Sequence, residues 1–136
     1  MRLVRSTVRP GDLDLTRWDT VADSLRANKG GLGDLGGGNH FLDAVVTYDD
    51  GPLYFLIHTG SRNESGHVDS LVESPDKFDR EFERVVSWAA DNRAAIHEKL
   101  DLVFGPTEVP LDLPHNTYEQ LDDGGVIIRF ATCIRH

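Results

Sequence analysis

The apolar residues of this chain follow two spacings, and together they predict an α+β fold. Residues 41–48 and 53–58 are dense apolar runs, and the stretch 49–52 between them ends in Gly51-Pro52, which is typical of a turn. The second run is almost continuously apolar, which indicates a strand covered on both faces. The sequence therefore predicts a mixed or antiparallel sheet with a hairpin at about 40–58.

A longer stretch shows helical spacing. Ser74-Pro75 provides a capping serine and a proline in the first turn, and Gly105-Pro106 cannot continue a helix. Between them one face stays apolar, so we predict a helix at about 75–101. The residues of this apolar face are Phe78, Phe82, Val85, Ala89, Ile96 and Leu100. A shorter helix over 16–28 is predicted from four residues at the same spacing: Trp18, Val21, Ala22 and Leu25.

The remaining segments carry weaker patterns. Residues 1–15 show little periodicity and are expected to be an extended lead-in, and residues 62–73 are expected to form a polar loop. The prolines after position 106 predict a further loop, and Val126-Ile127-Ile128 predicts a last strand. No repeat, low-complexity tract or domain boundary is evident, so residues 1–136 are expected to form a single domain.

Composition narrows the class of protein. The chain has 136 residues, no apolar run of the about 20 residues that a membrane span needs, and no secretory signal, so we expect a soluble, cytoplasmic protein. Its one cysteine, Cys133, excludes a disulfide framework and is expected to be a small apolar residue. The net charge of −9 disfavours binding to nucleic acid, unless divalent cations or further segments supply positive charge.

Three histidines lie where a regular element is predicted to meet a loop: His40, His58 and His115. Imidazoles from separate loop edges can form a metal site, and imidazole suits Zn, Mn, Fe, Co or Ni. The segment 30–38 has six glycines in nine positions, and its backbone N–H groups could approach a phosphate. Asn39 and Asn116 adjoin two of the histidines and could donate to the same group. Each histidine could instead bond a loop carbonyl, and the glycines could be a flexible linker.

Other polar residues carry less information. Arg62 could hold a phosphate through its planar guanidinium group, or could be a solvated surface residue. His67, His97 and His136 have no accompanying motif and are expected to be incidental to function.

The motifs around the three histidines resemble those of the RtcB family of RNA-splicing ligases. Residues 36–41 read Gly-Gly-Gly-Asn-His-Phe, residues 58–62 read His-Thr-Gly-Ser-Arg, and His115-Asn116 follows beyond the long helix. The resemblance covers residues 30–130, and its first motif is the most specific. It implies a central portion of the RtcB-like fold.

The resemblance also implies an activity. Family members depend on GTP and Mn²⁺ and join an RNA 3′-phosphate or 2′,3′-cyclic phosphate to a 5′-hydroxyl, as in tRNA splicing and RNA repair. By motif match, His40, His58 and His115 would be Mn²⁺ ligands. Asn39, Asp43 and Asn116 would lie near the guanine nucleotide, and RNA ends would be the partners.

The chain also departs from the family pattern. Residues 1–30 have no counterpart of the family's Asp-x-Gly-Cys metal motif, and Asp43 stands where glutamate is usual. The family's guanylylated histidine has no match, so no catalytic residue is assigned and the role is not transferred to His136. We therefore expect a partial ligase that is inactive by itself, with a second polypeptide as one source of the missing parts. The alternatives are a metal- or nucleotide-binding remnant without catalysis, and a phosphoesterase in which three histidines hold one metal.

Overall fold

The structure is a computed structural model, and it describes residues 1–26, 31–37, 40–47, 51–61, 75–114, 116–120, 122–123 and 126–130. A short 3₁₀ helix, Pro10–Asp12, accompanies two α-helices, α1 (Leu15–Ser24) and α2 (Pro75–Phe104). The strands are β1 (Arg2–Ser6), β2 (Phe41–Val46), β3 (Leu53–His58), β4 (Thr107–Asp112), β5 (Asn116–Gln120) and β6 (Val126–Phe130).

The first four strands form one antiparallel sheet in the order β2-β3-β1-β4, and β5 pairs with β6 in a separate two-stranded ladder. The predicted α+β class is confirmed, as are the hairpin, the long helix and the last strand. The helix runs three residues past the predicted end, to Phe104, and α1 ends at Ser24 rather than near residue 28. The predicted loop 62–73 lies outside the described residues.

Two segments of the sheet were predicted wrongly. Residues 1–15 are not a lead-in, because β1 lies in the middle of the sheet and α1 begins at Leu15. The predicted loop around Pro110 contains β4, which is an edge strand. Proline is compatible with an edge strand because its missing N–H can face away from the ladder.

The core lies between one face of the sheet and the two helices. The sheet contributes Val4, Phe55 and Ile57 to this core, and α2 contributes Ile96 and Leu100; all five are fully buried. The helix α1 adds Trp18, whose ring centroid lies 5.1 Å from that of Phe55 and 5.8 Å from that of Phe104. The other face of β3 is only half-buried at Tyr54 and Leu56, so the prediction of a strand covered on both faces holds for one face.

A polar cluster also fastens α2 to the sheet. The Nε of Arg93, a residue only 1% exposed, donates to Oδ1 of Asp112 at 2.8 Å, and Nη2 of Arg2 donates to the same carboxylate at 3.3 Å. Burial alone would raise the pKa of the Asp112 carboxyl, but the hydrogen bonds and charges of Arg93 and Arg2 outweigh it and lower that pKa. This carboxylate therefore joins β1, β4 and α2 in one ionic contact.

Gly105 ends the long helix in a left-handed conformation, with φ +90° and its N–H bonded to the Asp101 carbonyl. We expect Gly105→Ala to destabilise the fold by about 1–2 kcal/mol, because an added Cβ has room yet disfavours this φ. Urea unfolding would measure the loss. Gly11→Ala is the matched control, since a Cβ there meets nothing within 4 Å and no positive φ is needed. Equal stability of the two variants would contradict the prediction.

Candidate functional site

The hairpin positions His58 at one end of the sheet. In the register of β2 and β3, Phe41 lies directly opposite His58, and the two rings stack with centroids 4.9 Å apart and planes 7° apart. His58 is 1% exposed. A side chain that is buried at a strand end and stacked on a neighbouring ring has little rotational freedom, so its imidazole is held in one orientation.

His40 precedes β2 and lies beside His58. Their ring centroids are 6.2 Å apart, with the planes tilted by 53°. Metal–nitrogen bonds of about 2.1 Å, with about 1.1 Å more from nitrogen to ring centre, let one ion bridge imidazole centroids up to roughly 6.4 Å apart. The observed separation lies at the far end of that span. An ion shared by both rings would therefore have to lie almost on the line between their centres.

The glycine-rich segment beside His40 is ordered against the long helix. Asn92 of α2 is fully buried, and its Oδ1 accepts from the backbone N–H of Gly33 at 2.7 Å and of Asp34 at 3.3 Å. Its Nδ2 donates to the Asp34 carbonyl at 3.0 Å. The described part of this segment is therefore not a flexible linker, because one helix side chain binds three of its backbone groups.

The far end of the same segment is bonded to the hairpin. The hydroxyl of Thr59, which is fully buried, donates to the Leu35 carbonyl at 2.7 Å and lies 3.5 Å from Nδ1 of His40. Arg26 bonds the carbonyls of Gly36 and His40. Gly36 itself has φ +90°, which favours glycine there. These bonds connect the first two sequence motifs into one unit.

Of the other predicted site residues, the structure describes Asp43 and the backbone of Asn116. Asp43 lies two residues after Phe41 in β2, so it faces the same side of the sheet as Phe41 and His58. The backbone of Asn116 begins β5, opposite Phe130, and its side chain lies outside the described part. Asn39 and His115 lie outside the described residues, as do Arg62, His67, Cys133 and His136.

His97 has a structural environment. Its Nδ1 lies 3.3 Å from Nη1 of Arg2, and its Nε2 contacts Thr107 and lies 3.3 Å from Oδ1 of Asp101. An arginine can only donate, so Nδ1 accepts and Nε2 carries the proton toward Asp101 and Thr107. This histidine of α2 thus belongs to the polar cluster between α2 and the strands β1 and β4, and not to the site formed by His40 and His58.

Within the described ranges, no group of three or more His, Cys, Asp or Glu side chains is arranged to hold a metal ion. The predicted set of His40, His58 and His115 is thus represented by two members, since the third lies outside those ranges.

Three residues of the site were not predicted from the sequence: Arg26, Asn92 and Thr59. The sequence did contain a sign of the role of Asn92. Asn92 and Arg93 lie at helical spacing between Ala89 and Ile96, on a face of α2 that is otherwise apolar. Polar side chains on a buried helix face need partners, which points to a specific contact. For Thr59 no pattern existed beyond its position after His58.

Comparisons of the chain with models of protein families, with curated proteins and with solved structures found no match. Among the described residues, no helix is both long enough and apolar enough to span a membrane.

Proposed function

We propose that this chain carries the nucleotide- and metal-binding site of an RtcB-type RNA ligase. In this proposal His40, His58 and His115 bind Mn²⁺, and Asn39, Asp43 and Asn116 bind the guanine nucleotide. The reaction served is GTP-dependent joining of an RNA 3′-phosphate or 2′,3′-cyclic phosphate to a 5′-hydroxyl.

One observation carries the proposal. His40 and His58, from two separate motifs, lie at the same end of the hairpin with ring centroids 6.2 Å apart. Thr59, which follows His58, bonds the Leu35 carbonyl of the glycine-rich segment, and Arg26 bonds the carbonyls of Gly36 and His40. Neutral imidazole is the commonest side-chain ligand of transition-metal ions, which supports a metal at this pair, and the choice of Mn²⁺ comes from the family resemblance.

The residues have separable tasks in this proposal. His58, buried and stacked on Phe41, provides a fixed ligand, while His40 is half-buried and nearer to an entering group. When bound, the metal neutralises phosphate charge and polarises a phosphoryl oxygen. Its positive charge would be local to the site, where it would oppose the repulsion of RNA by a chain whose net charge is −9.

A second candidate is a binding module that holds Mn²⁺ and GTP without joining RNA. It is favoured by the sequence, in which the guanylylated histidine of the RtcB family has no matching motif. The two candidates share a pocket and differ in whether RNA ends are joined.

We expect His58→Ala to weaken Mn²⁺ binding by more than about tenfold, because it removes a metal ligand directly. A factor of about ten is the smaller effect expected when only a hydrogen-bond partner of a ligand is lost. His97→Ala should leave the affinity within about twofold of the unsubstituted chain, because His97 lies in the polar cluster. Isothermal titration calorimetry with Mn²⁺ measures both, after circular dichroism has shown that each variant is folded.

Equal effects of these two substitutions would contradict the metal assignment. A His40/His58/His115 triple alanine variant gives the background for non-specific binding. Incubation with GTP, Mn²⁺ and RNA ends carrying 2′,3′-cyclic phosphate and 5′-hydroxyl then separates the candidates. Joining supports the ligase, and saturable binding of Mn²⁺ and GTP without joining supports the binding module.

A further inference from the structure

The hydrogen bonds of Thr59 determine which nitrogen of His40 carries a proton. A threonine hydroxyl has one hydrogen, and that of Thr59 points to the Leu35 carbonyl at 2.7 Å. The hydroxyl oxygen can therefore only accept along its second contact, the one to Nδ1 of His40 at 3.5 Å. If Nδ1 carried no proton, its lone pair would face a lone pair of the Thr59 oxygen, and the two would repel each other.

We propose that Thr59 is a positioning residue that holds His40 as the Nδ1–H tautomer, so that Nε2 carries the lone pair and is the metal-binding atom. The inference rests on the proposed function for the metal, but its statement about the tautomer does not. The tautomer of a ligating imidazole is commonly set by the hydrogen bond that its other nitrogen makes.

The surroundings make this contact a rigid one. Thr59 is fully buried, and it follows His58 at the end of β3. Its acceptor, the carbonyl of Leu35, belongs to a residue that is 2% exposed and whose N–H bonds the Leu25 carbonyl at 2.7 Å. On the other side, Arg26 donates to the His40 carbonyl at 3.1 Å. Thr59 is thus bonded to Leu35, and the backbone of His40 is bonded to Arg26.

One consequence concerns the coupling between the two motifs. The same hydroxyl group bonds the backbone of the glycine-rich segment and faces the ring of His40. A shift of that segment would change the hydrogen-bond direction at Thr59 and with it the preferred tautomer. In this proposal the position of the glycine-rich backbone and the choice of the metal-binding nitrogen of His40 depend on each other.

Nuclear magnetic resonance of the metal-free chain with ¹⁵N-labelled histidine tests the tautomer directly. The ¹⁵N shifts and ring couplings distinguish Nδ1–H from Nε2–H, and His40→Ala identifies the signals of His40. We expect Nδ1–H in the unsubstituted chain, loss of that preference in Thr59→Val, which has the same shape but no hydroxyl, and its return in Thr59→Ser. Finding Nε2–H in the unsubstituted chain would overturn the inference, as would a preference unchanged in Thr59→Val.

Calorimetric Mn²⁺ titration of the same three proteins supplies the second readout. Loss of the outer partner in Thr59→Val is expected to weaken binding about tenfold, and Thr59→Ser should restore most of it. Equal affinities in the valine variant and the unsubstituted chain would overturn the positioning role while leaving the proposed metal site standing. An Nδ1–H tautomer in a chain that binds no Mn²⁺ would support the tautomer and reject the proposed function.

Discussion

Asn92→Ala is expected to destabilise the fold by about 3–4 kcal/mol, although the residue carries no charge. The substitution leaves two backbone N–H groups and one carbonyl, from Gly33 and Asp34, without their partner in a buried place. Each unsatisfied buried group costs about 1–3 kcal/mol, less where water can reach it. Urea unfolding measures the total, and amide hydrogen exchange at Gly33 and Asp34 shows whether the loss is local to the glycine-rich segment.

The matched control is Asp91→Ala, at the neighbouring exposed position of the same helix, which should change stability by less than about 0.5 kcal/mol. Asn92→Asp should fall between the two, because a carboxylate still accepts from both N–H groups but cannot donate to the Asp34 carbonyl. If Asn92→Ala were as stable as Asp91→Ala, the attachment of the glycine segment to α2 would be wrong.

Asp112→Ala is expected to cost roughly 3 kcal/mol, because it leaves the guanidinium of Arg93 buried without its carboxylate. The side chain of Arg93 is 2% exposed and that of Asp112 is 26% exposed, so water compensates the loss only in part. Urea is the suitable denaturant, since an ionic denaturant would screen the contact. The control is Glu108→Ala on the same strand, whose contact with Arg5 is 4.0 Å long and exposed, and which should change stability by at most about 0.5 kcal/mol.

The pH dependence has a definite sign. Because folding lowers the pKa of Asp112, its stabilising contribution is present above the unfolded pKa of about 4 and is lost as pH falls through the lower folded value. The difference in stability between the unsubstituted chain and Asp112→Ala should therefore be constant near neutral pH and shrink below about pH 4. A difference that grows on acidification would contradict this assignment.

The hairpin and the long helix could be predicted because most positions on one face of each element are apolar. The central strand β1 could not, because its face toward α2 carries Arg2 and Ser6 beside the buried Val4. The Ser6 hydroxyl accepts locally from the Val8 N–H, but Arg2 is tolerated there because β4 supplies Asp112 as its partner. A pattern read along five residues contains no information about partners supplied from the other end of the domain.

The site shows the same division. His40 and His58 could be singled out because each lies where a predicted strand meets a loop, and their proximity follows from the register of one local hairpin. The roles of Asn92 and Thr59 depend on contacts across tertiary structure, where sequence spacing is uninformative. Asn92 lies 59 positions from Gly33, with which it bonds. Such a pair can be suspected from an asparagine on an apolar helix face, but its partner cannot be named.

The central position of β1 also has a kinetic meaning. The amino group of Met1 bonds the Leu113 carbonyl, 112 positions away, and Arg2 bonds Asp112, 110 positions away. Closing so long a loop costs conformational entropy before the contacts on either side of β1 can compensate, which slows folding. During synthesis β1 can pair with β3 once the β2–β3 hairpin has formed, but the other edge of β1 stays unpaired until β4 has been made. Until then this edge of β1 offers unpaired backbone groups to other chains, and in this interval the protein is most exposed to aggregation.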